Sequence, residues 1–144
     1  MIHQILIFEG QDGSGKTTIK KAFSKTTNEK YTCIDRMYPS DIIYANKYVR
    51  GKEFIVQKIK EMKSFNVSIQ PIYIFIYSEV SSTVETFEDR KEAYDLKDII
   101  DDKLRFNDFY NVSLSSYDRK IKINRTNKTV DECVKELIKE LKKI

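Results

Sequence analysis

The stretch Ile5–Thr18, ILIFEGQDGSGKTT, constrains this chain more than any other. It opens with the apolar run Ile5 to Phe8 and turns at Gly10. Gly10, Gly15, Lys16 and Thr17 then satisfy G-x-x-x-x-G-K-[ST], the phosphate-binding P-loop pattern. The pattern has a local mechanism. A glycine-rich turn can aim several backbone N–H groups at one anion. The helix that follows adds unsatisfied N–H groups and its positive dipole end. A lysine at position 16 reaches the β- and γ-phosphates, and a hydroxyl at position 17 is a magnesium ligand. The motif lies after a buried-type strand and before a helical pattern, which is the context its mechanism requires. Binding of a nucleoside triphosphate is the first expectation.

The remaining sequence gives this loop an α/β frame. Continuous apolar character over residues 3–9 predicts a central strand, since a parallel sheet is covered on both faces. Lys16 to Thr26 reads as a helix with Ile19, Ala22 and Phe23 inward. Tyr31–Asp35 is a second strand ending at Asp35-Arg36, and Pro39 marks the loop beyond it. Ser40 is placed to cap a helix starting near Asp41. Residues 41–64 carry Ile42, Ile43, Tyr48, Val49, Ile55, Ile59 and Met62 at near-helical spacing, with Gly51 as a dividing point. Ile72–Tyr77 is a third strand with Pro71 before it. Two helical stretches are expected within 81–116, joined by the charged segment 88–92. Lys120–Asn124 alternates as a fourth strand. Thr129 and Glu132 form a capping box ahead of a helix whose inward face is Val134, Leu137, Ile138 and Leu141. Alternating strands and helices predict a three-layer α/β/α sandwich, a P-loop NTPase-type fold with a mostly parallel sheet of about four strands. A chain of 144 residues suits one such domain, residues 1–144.

Composition narrows the function class. No run approaches the roughly 18 apolar residues of a membrane span, and no secretory leader pattern opens the chain. Cys33 and Cys133 lack metal-ligand spacing and read as buried thiols, and His3 has no partner motif. These features fit a cytoplasmic setting. The net charge of +4 is compatible with a nucleotide or nucleic-acid partner without requiring one.

A P-loop holds phosphate but transfers none alone. Transfer needs a carboxylate near the metal or attacking oxygen, and cations around the moving group. In a parallel sheet such groups gather beyond the strand C-terminal ends, where both the P-loop and Asp35-Arg36 fall. Asp35 can hold the magnesium hydration shell or accept the acceptor's proton, and Arg36 can clamp an acceptor phosphate in bidentate fashion. The plainer alternative is a surface salt bridge at a strand end. Arg90, in the charged segment, is placed for a lid cation, with Lys91, Lys97 and Arg105 as competitors. Arg125, after the fourth strand, could stack on a base or pair with a carboxylate.

These residues carry a resemblance. Phe8 to Thr18 resembles the P-loop of thymidylate kinases, FEGxDGxGKTT, and the match includes Glu9, Asp12 and Thr18. Asp35-Arg36 with Ser40 and Tyr44 is similar to that family's D-R-x-x-x-S-x-x-x-Y motif. The segment from Arg90 to Tyr110 is similar to its lid and following helix. The resemblance implies an ATP- and Mg2+-dependent kinase. Gly10, Asp12, Gly13, Ser14, Gly15, Lys16, Thr17 and Thr18 would bind nucleotide, and Arg125 joins them as a candidate from its place after the fourth strand, not from the resemblance. Lys16, Asp35, Arg36 and Arg90 would be catalytic, and Thr17 and Asp35 would serve the metal. Asp12 would bond the acceptor's sugar 3′-hydroxyl. Arg90 would supply the lid arginine, because Gly13 stands where other members carry a basic residue. Family members are often dimers, which leaves a homodimer open. Deoxynucleoside kinases share the Arg36, Ser40, Asp41 pattern but usually lack the counterpart of Asp12.

One departure is large. Thymidylate kinases carry a further strand and two helices between the P-loop helix and the D-R motif, whereas here 18 residues separate Lys16 from Asp35. Three readings therefore stand: a kinase for a deoxynucleoside monophosphate, a kinase for a nucleoside or a nucleic-acid 5′-hydroxyl end, and a non-catalytic nucleotide-binding remnant.

Overall fold

The computed structural model describes residues 4–11, 14–28, 30–79 and 96–144. Among these, four strands form one sheet in the order β2-β1-β3-β4, with every pairing parallel. They are β1 (Gln4–Glu9), β2 (Tyr31–Asp35), β3 (Ile72–Tyr77) and β4 (Lys120–Asn124). The helices are α1 (Lys16–Thr26), α2 (Tyr38–Lys47), α3 (Lys52–Ile69), α4 (Leu96–Asp108) and α5 (Val130–Leu141). A wider π-helical turn, Phe109–Ser113, continues α4. The architecture is the expected α/β/α sandwich of P-loop NTPase type.

Strand alternation divides the core into two layers. Leu6, Phe8, Ile72, Ile74, Ile76, Ile121 and Ile123 pack against Ile19 and Phe23 of α1 and against Cys133, Val134 and Leu137 of α5. Ile7, Tyr73 and Phe75 face the other way, against Ile42 and Ile43 of α2, Met62 of α3 and Phe106 of α4. β1 and β3 are covered on both faces, so they read as continuous apolar runs. Edge strand β4 alternates buried and half-buried positions. Thr129 and Glu132 close the expected capping box on α5.

Three expectations need correction. First, α2 begins at Tyr38, not near Asp41, and Ser40 is not its cap. Pro39 sits within the first helical turn, where a missing N–H costs nothing, and the Ser40 hydroxyl donates to Glu9 across the core. Second, α3 continues to Ile69, five residues past the helical stretch expected over 41–64. Third, Tyr48 and Val49 do not join the inward stripe. They lie in the turn between α2 and α3, 58% and 84% exposed, ahead of Gly51 at φ +109°. Cys133 is buried as expected, whereas Cys33 is half-buried. The charged segment 88–92 and His3 lie outside the described residues. Among those described, no helix is long and apolar enough to cross a membrane.

The layering makes a stability prediction. Ile74 is fully buried in the α1/α5 layer, while Val112 is 81% exposed. Ile74→Ala should cost about 2–5 kcal/mol of unfolding free energy, and Val112→Ala less than about 0.5 kcal/mol. Urea unfolding measures both, and equal losses would contradict this core.

Candidate functional site

Those candidate residues that the structure describes meet at the C-terminal edge of the sheet, apart from Thr18. Gly10 leaves β1 at φ +151°, and a Cβ there would stand 2.8 Å from both the Ile76 carbonyl oxygen and Ser14 Oγ. The Ser14 N–H donates to the Gln11 carbonyl, 3.1 Å away, which closes a turn of the loop. Gly15, at φ +86°, precedes α1, and a Cβ there would collide with the Arg125 guanidinium. The two glycines therefore permit close approach at both ends of the loop. The helix start is left open to an anion: no side chain caps α1 and no acidic residue lies in its first turn. Ser14 Oγ is buried and has no hydrogen-bond partner among the described residues. An orphaned hydroxyl beside an uncapped helix N-terminus is a donor set suited to phosphate oxygens.

β2 pairs beside β1 and delivers Asp35 to this loop. Lys16 Nζ donates to Asp35 Oδ1 at 2.9 Å, and Thr17 Oγ1 donates to Asp35 Oδ2 at 2.9 Å. Burial alone would raise the Asp35 pKa. The hydrogen bonds from Lys16 and Thr17, with the charges of Lys16 and Lys20, outweigh it and hold the carboxyl below its ordinary range. Asp35 is thus an anion tied to the side chains of both Lys16 and Thr17. A hydroxyl and a carboxylate converging beside a phosphate loop are hard oxygen donors of the kind magnesium takes, with waters filling the rest of its shell.

Arg36 follows in the left-handed region at φ +64°, an uncommon conformation for a residue with a side chain. Its N–H donates to the Phe8 carbonyl at 3.0 Å, and its guanidinium lies 5.7 Å from the centre of the Tyr44 ring. Glu9 holds this turn from below. Its fully buried carboxyl accepts from the Met37 N–H at 2.8 Å and from the Ser40 hydroxyl. Burial pushes the Glu9 pKa up from 4.5 to about 7, against the lowering effect of these hydrogen bonds and of Arg36.

The structure brings together Gly10, Ser14, Gly15, Lys16, Thr17, Asp35, Arg36 and Arg125. Thr18 is exposed on α1, outside these contacts. Asp12, Gly13 and Arg90 lie outside the described residues, as does Lys91. Of the other lid competitors, Lys97 is exposed on α4, and Arg105 pairs with Asp101 on the same helix at 2.8 Å. Lys103 was not expected. It is 2% exposed, its ammonium has no hydrogen-bond partner among the described residues, and it lies 4.6 Å from the centre of the Tyr77 ring. It shares a small cavity with Gln11 of the loop and Lys122. Burial, offset in part by Glu79, brings its pKa down to about 8. The signal was its spacing, since Lys103 shares a helical stripe with Ile99 and Phe106. A larger cavity of about 650 Å³ opens at the N-terminal ends of β3 and β4, away from the P-loop.

The raised Glu9 pKa has a testable sign. Between 4.5 and about 7 the folded state keeps a proton that the unfolded chain has released, so stability falls as pH rises through that window and levels above it. Glu9→Gln should remove this fall, a difference on the order of 3 kcal/mol between the two proteins across the window. Urea midpoints over roughly pH 4 to 8 decide the matter. Parallel curves for the two proteins would show that Glu9 ionises as it does in the unfolded chain.

Neither a family model nor a curated protein sequence matches the chain. Solved structures do. The YorR protein of Bacillus subtilis, whose structure holds phosphorylated GDP, superposes with TM-score 0.72 at 17% identity, over 96% of each chain. Deoxyadenosine kinase from M. mycoides with bound dCTP gives TM-score 0.68 at 10% identity, over 98% of this chain and 100% of that one. Thymidylate kinase from Candida albicans gives TM-score 0.59 at 15% identity, over 98% and 92%. At these identities the likeness concerns architecture: the chain has the α/β fold found in P-loop nucleotide and nucleoside kinases.

Proposed function

We propose that the chain is an ATP- and magnesium-dependent phosphotransferase that moves the γ-phosphate of ATP to a deoxynucleoside monophosphate, in the manner of a thymidylate kinase. The observation that supports this most is the double attachment of Asp35 to Lys16 and Thr17, with Arg36 next in the chain. Phosphoryl transfer is catalysed by positioning and by electrostatic stabilisation, and this cluster provides both kinds of group.

In this reading Lys16 exchanges its bond to Asp35 for the β- and γ-phosphate oxygens. The loop N–H groups and Ser14 Oγ bind the phosphate chain, and the open N-terminus of α1 supports them. Thr17 and Asp35 hold magnesium, which neutralises charge on the phosphates when bound. Arg36 clamps the acceptor phosphate, and the Glu9 bonds to Met37 and Ser40 fix the turn from which it extends. Asp12 would meet the acceptor sugar, Arg90 would reach the moving phosphoryl group from a lid, and Arg125 would stack on the nucleotide base. Gly13 and Thr18 complete the loop. The reaction yields ADP and a nucleoside diphosphate.

A second reading has an observation of its own. Among the described residues β2 follows α1 directly and pairs beside β1, with no strand or helix between α1 and β2. The acceptor side is therefore less enclosed than a thymidylate kinase would make it, which favours a larger or differently shaped acceptor.

ADP release from ATP and magnesium, measured across deoxynucleoside monophosphates, nucleosides and a 5′-hydroxyl oligonucleotide, tests the proposal. A monophosphate should stimulate release, and Lys16→Ala and Asp35→Ala should each reduce it at least about a hundredfold. Retained ATP binding without stimulation by any acceptor would mean a non-catalytic remnant, and stimulation by nucleosides or oligonucleotide alone would move the activity to the second reading.

A further inference from the structure

We infer that the corner between α2 and α3 is a binding surface for single-stranded nucleic acid, reached from the acceptor side of the site through Tyr44 and Tyr48. This rests on the reading of Arg36 as the acceptor clamp, but its direct test does not.

The first observation is charge. From Lys47 to Glu61 the chain carries Lys47, Arg50, Lys52, Lys58 and Lys60 against Glu53 and Glu61, a formal +3, with Lys58 paired to Glu61 at 3.3 Å. Residues 16–25 and 119–128 are also basic, so what distinguishes this corner is exposed cations set among aromatic rings. Lys47 is committed to Asp102 of α4 at 2.5 Å, which ties the corner to the helix beside the site, while Arg50, Lys52 and Lys60 are exposed.

The second observation is the aromatic arrangement. The Arg36 guanidinium lies 5.7 Å from the Tyr44 ring centre, and Tyr44 and Tyr48 stack at 6.3 Å with planes 16° apart. These two steps put the Tyr48 ring within about 12 Å of Arg36, a span of roughly three to four stacked nucleotides at about 3.4 Å each. Arg50 lies 5.7 Å from the Tyr48 ring centre. Tyr48 is 58% exposed, as is, at 39%, Phe54 in the first turns of α3, with Lys58 at 5.5 Å from its ring. Exposed aromatic rings among cations are how sequence-tolerant single-strand surfaces work: bases stack on the rings and phosphates meet the cations. Duplex recognition would instead present a basic helix or ribbon shaped to a groove.

A second copy of this chain suits the surface poorly. A symmetric dimer through the corner would bring two sets of exposed Arg50, Lys52 and Lys60 together, and like charges disfavour that contact.

Fluorescence anisotropy with a labelled dT10 oligonucleotide, and with rU10 as the RNA arm, tests the inference on the full chain. Binding should weaken with salt at a log–log slope of about −2 to −3, as expected for three or four phosphate contacts on a single strand. Tyr48→Ala should weaken it about tenfold, and Arg50→Glu with Lys52→Glu should abolish it and flatten the slope. Both variants should keep the ADP release seen with a mononucleotide acceptor. Absence of dT10 and rU10 binding at low salt would overturn the inference, as would binding that the Tyr48 and Arg50/Lys52 variants leave unchanged. A dimer by sedimentation that Tyr48→Ala converts to monomer would also overturn it, by assigning the corner to self-association. If no acceptor supports turnover but dT10 binding still responds to these variants, the kinase proposal falls and this one stands.

Discussion

The carboxylate of Asp35 is the point on which the arrangement of the site depends. It receives the side chains of Lys16 and Thr17 from the first turn of α1, and it belongs to a strand paired with β1. One acid thereby links the strand, the loop and the helix that a phosphate site requires. A half-buried carboxylate next to an ammonium is stable when its oxygens are filled, and here both are. Glu9 has the complementary role, one layer further in. Its environment favours the protonated form, while its two bonds hold the backbone after Arg36. Two acids near the same strand ends are pushed in opposite directions, one by cationic partners and the other by burial.

Much of this was legible because it is local. β1 and β3 are continuous apolar runs, β4 alternates, and α5 carries its cap in four residues. The P-loop and Asp35-Arg36 could be found because each is contiguous in sequence and parallel topology brings their ends to one edge. What stayed hidden depends on partners distant in the chain. Ser40 has the chemistry of a helix cap, and only the fold reveals that Glu9, 31 positions earlier, accepts its hydroxyl. Tyr48 and Val49 fit an apolar helical stripe until the turn before Gly51 takes them out of phase. Lys103 shares the stripe of Ile99 and Phe106, but only the docking of α4 on the sheet shows that its ammonium lies against the Tyr77 ring.

The molecule leaves several polar groups without the partners a purely structural protein would supply. Ser14 Oγ and the Lys103 ammonium are buried without hydrogen bonds among the described residues. Arg36 holds a backbone conformation that costs energy. The N-terminus of α1 is uncapped, although α5 shows that the same chain can build a complete cap. These departures lie at the C-terminal edge of the sheet, while at the opposite edge Arg119 Nε is buried without a hydrogen bond beside the more spacious cavity. Unsatisfied donors beside a glycine turn are better explained by a ligand than by poor packing.

The contact between Arg125 and Gly15 has a consequence for synthesis. The phosphate loop follows β1, and the guanidinium lying over it comes from beyond β4. β4 pairs with β3 alone, and α5 then covers the face that α1 only partly covers. The loop must therefore wait for more than a hundred later residues before its surroundings are complete. Long-range closure of this kind is slow compared with the local folding of helices. During synthesis the loop motif would be made well before the residues that complete its surroundings.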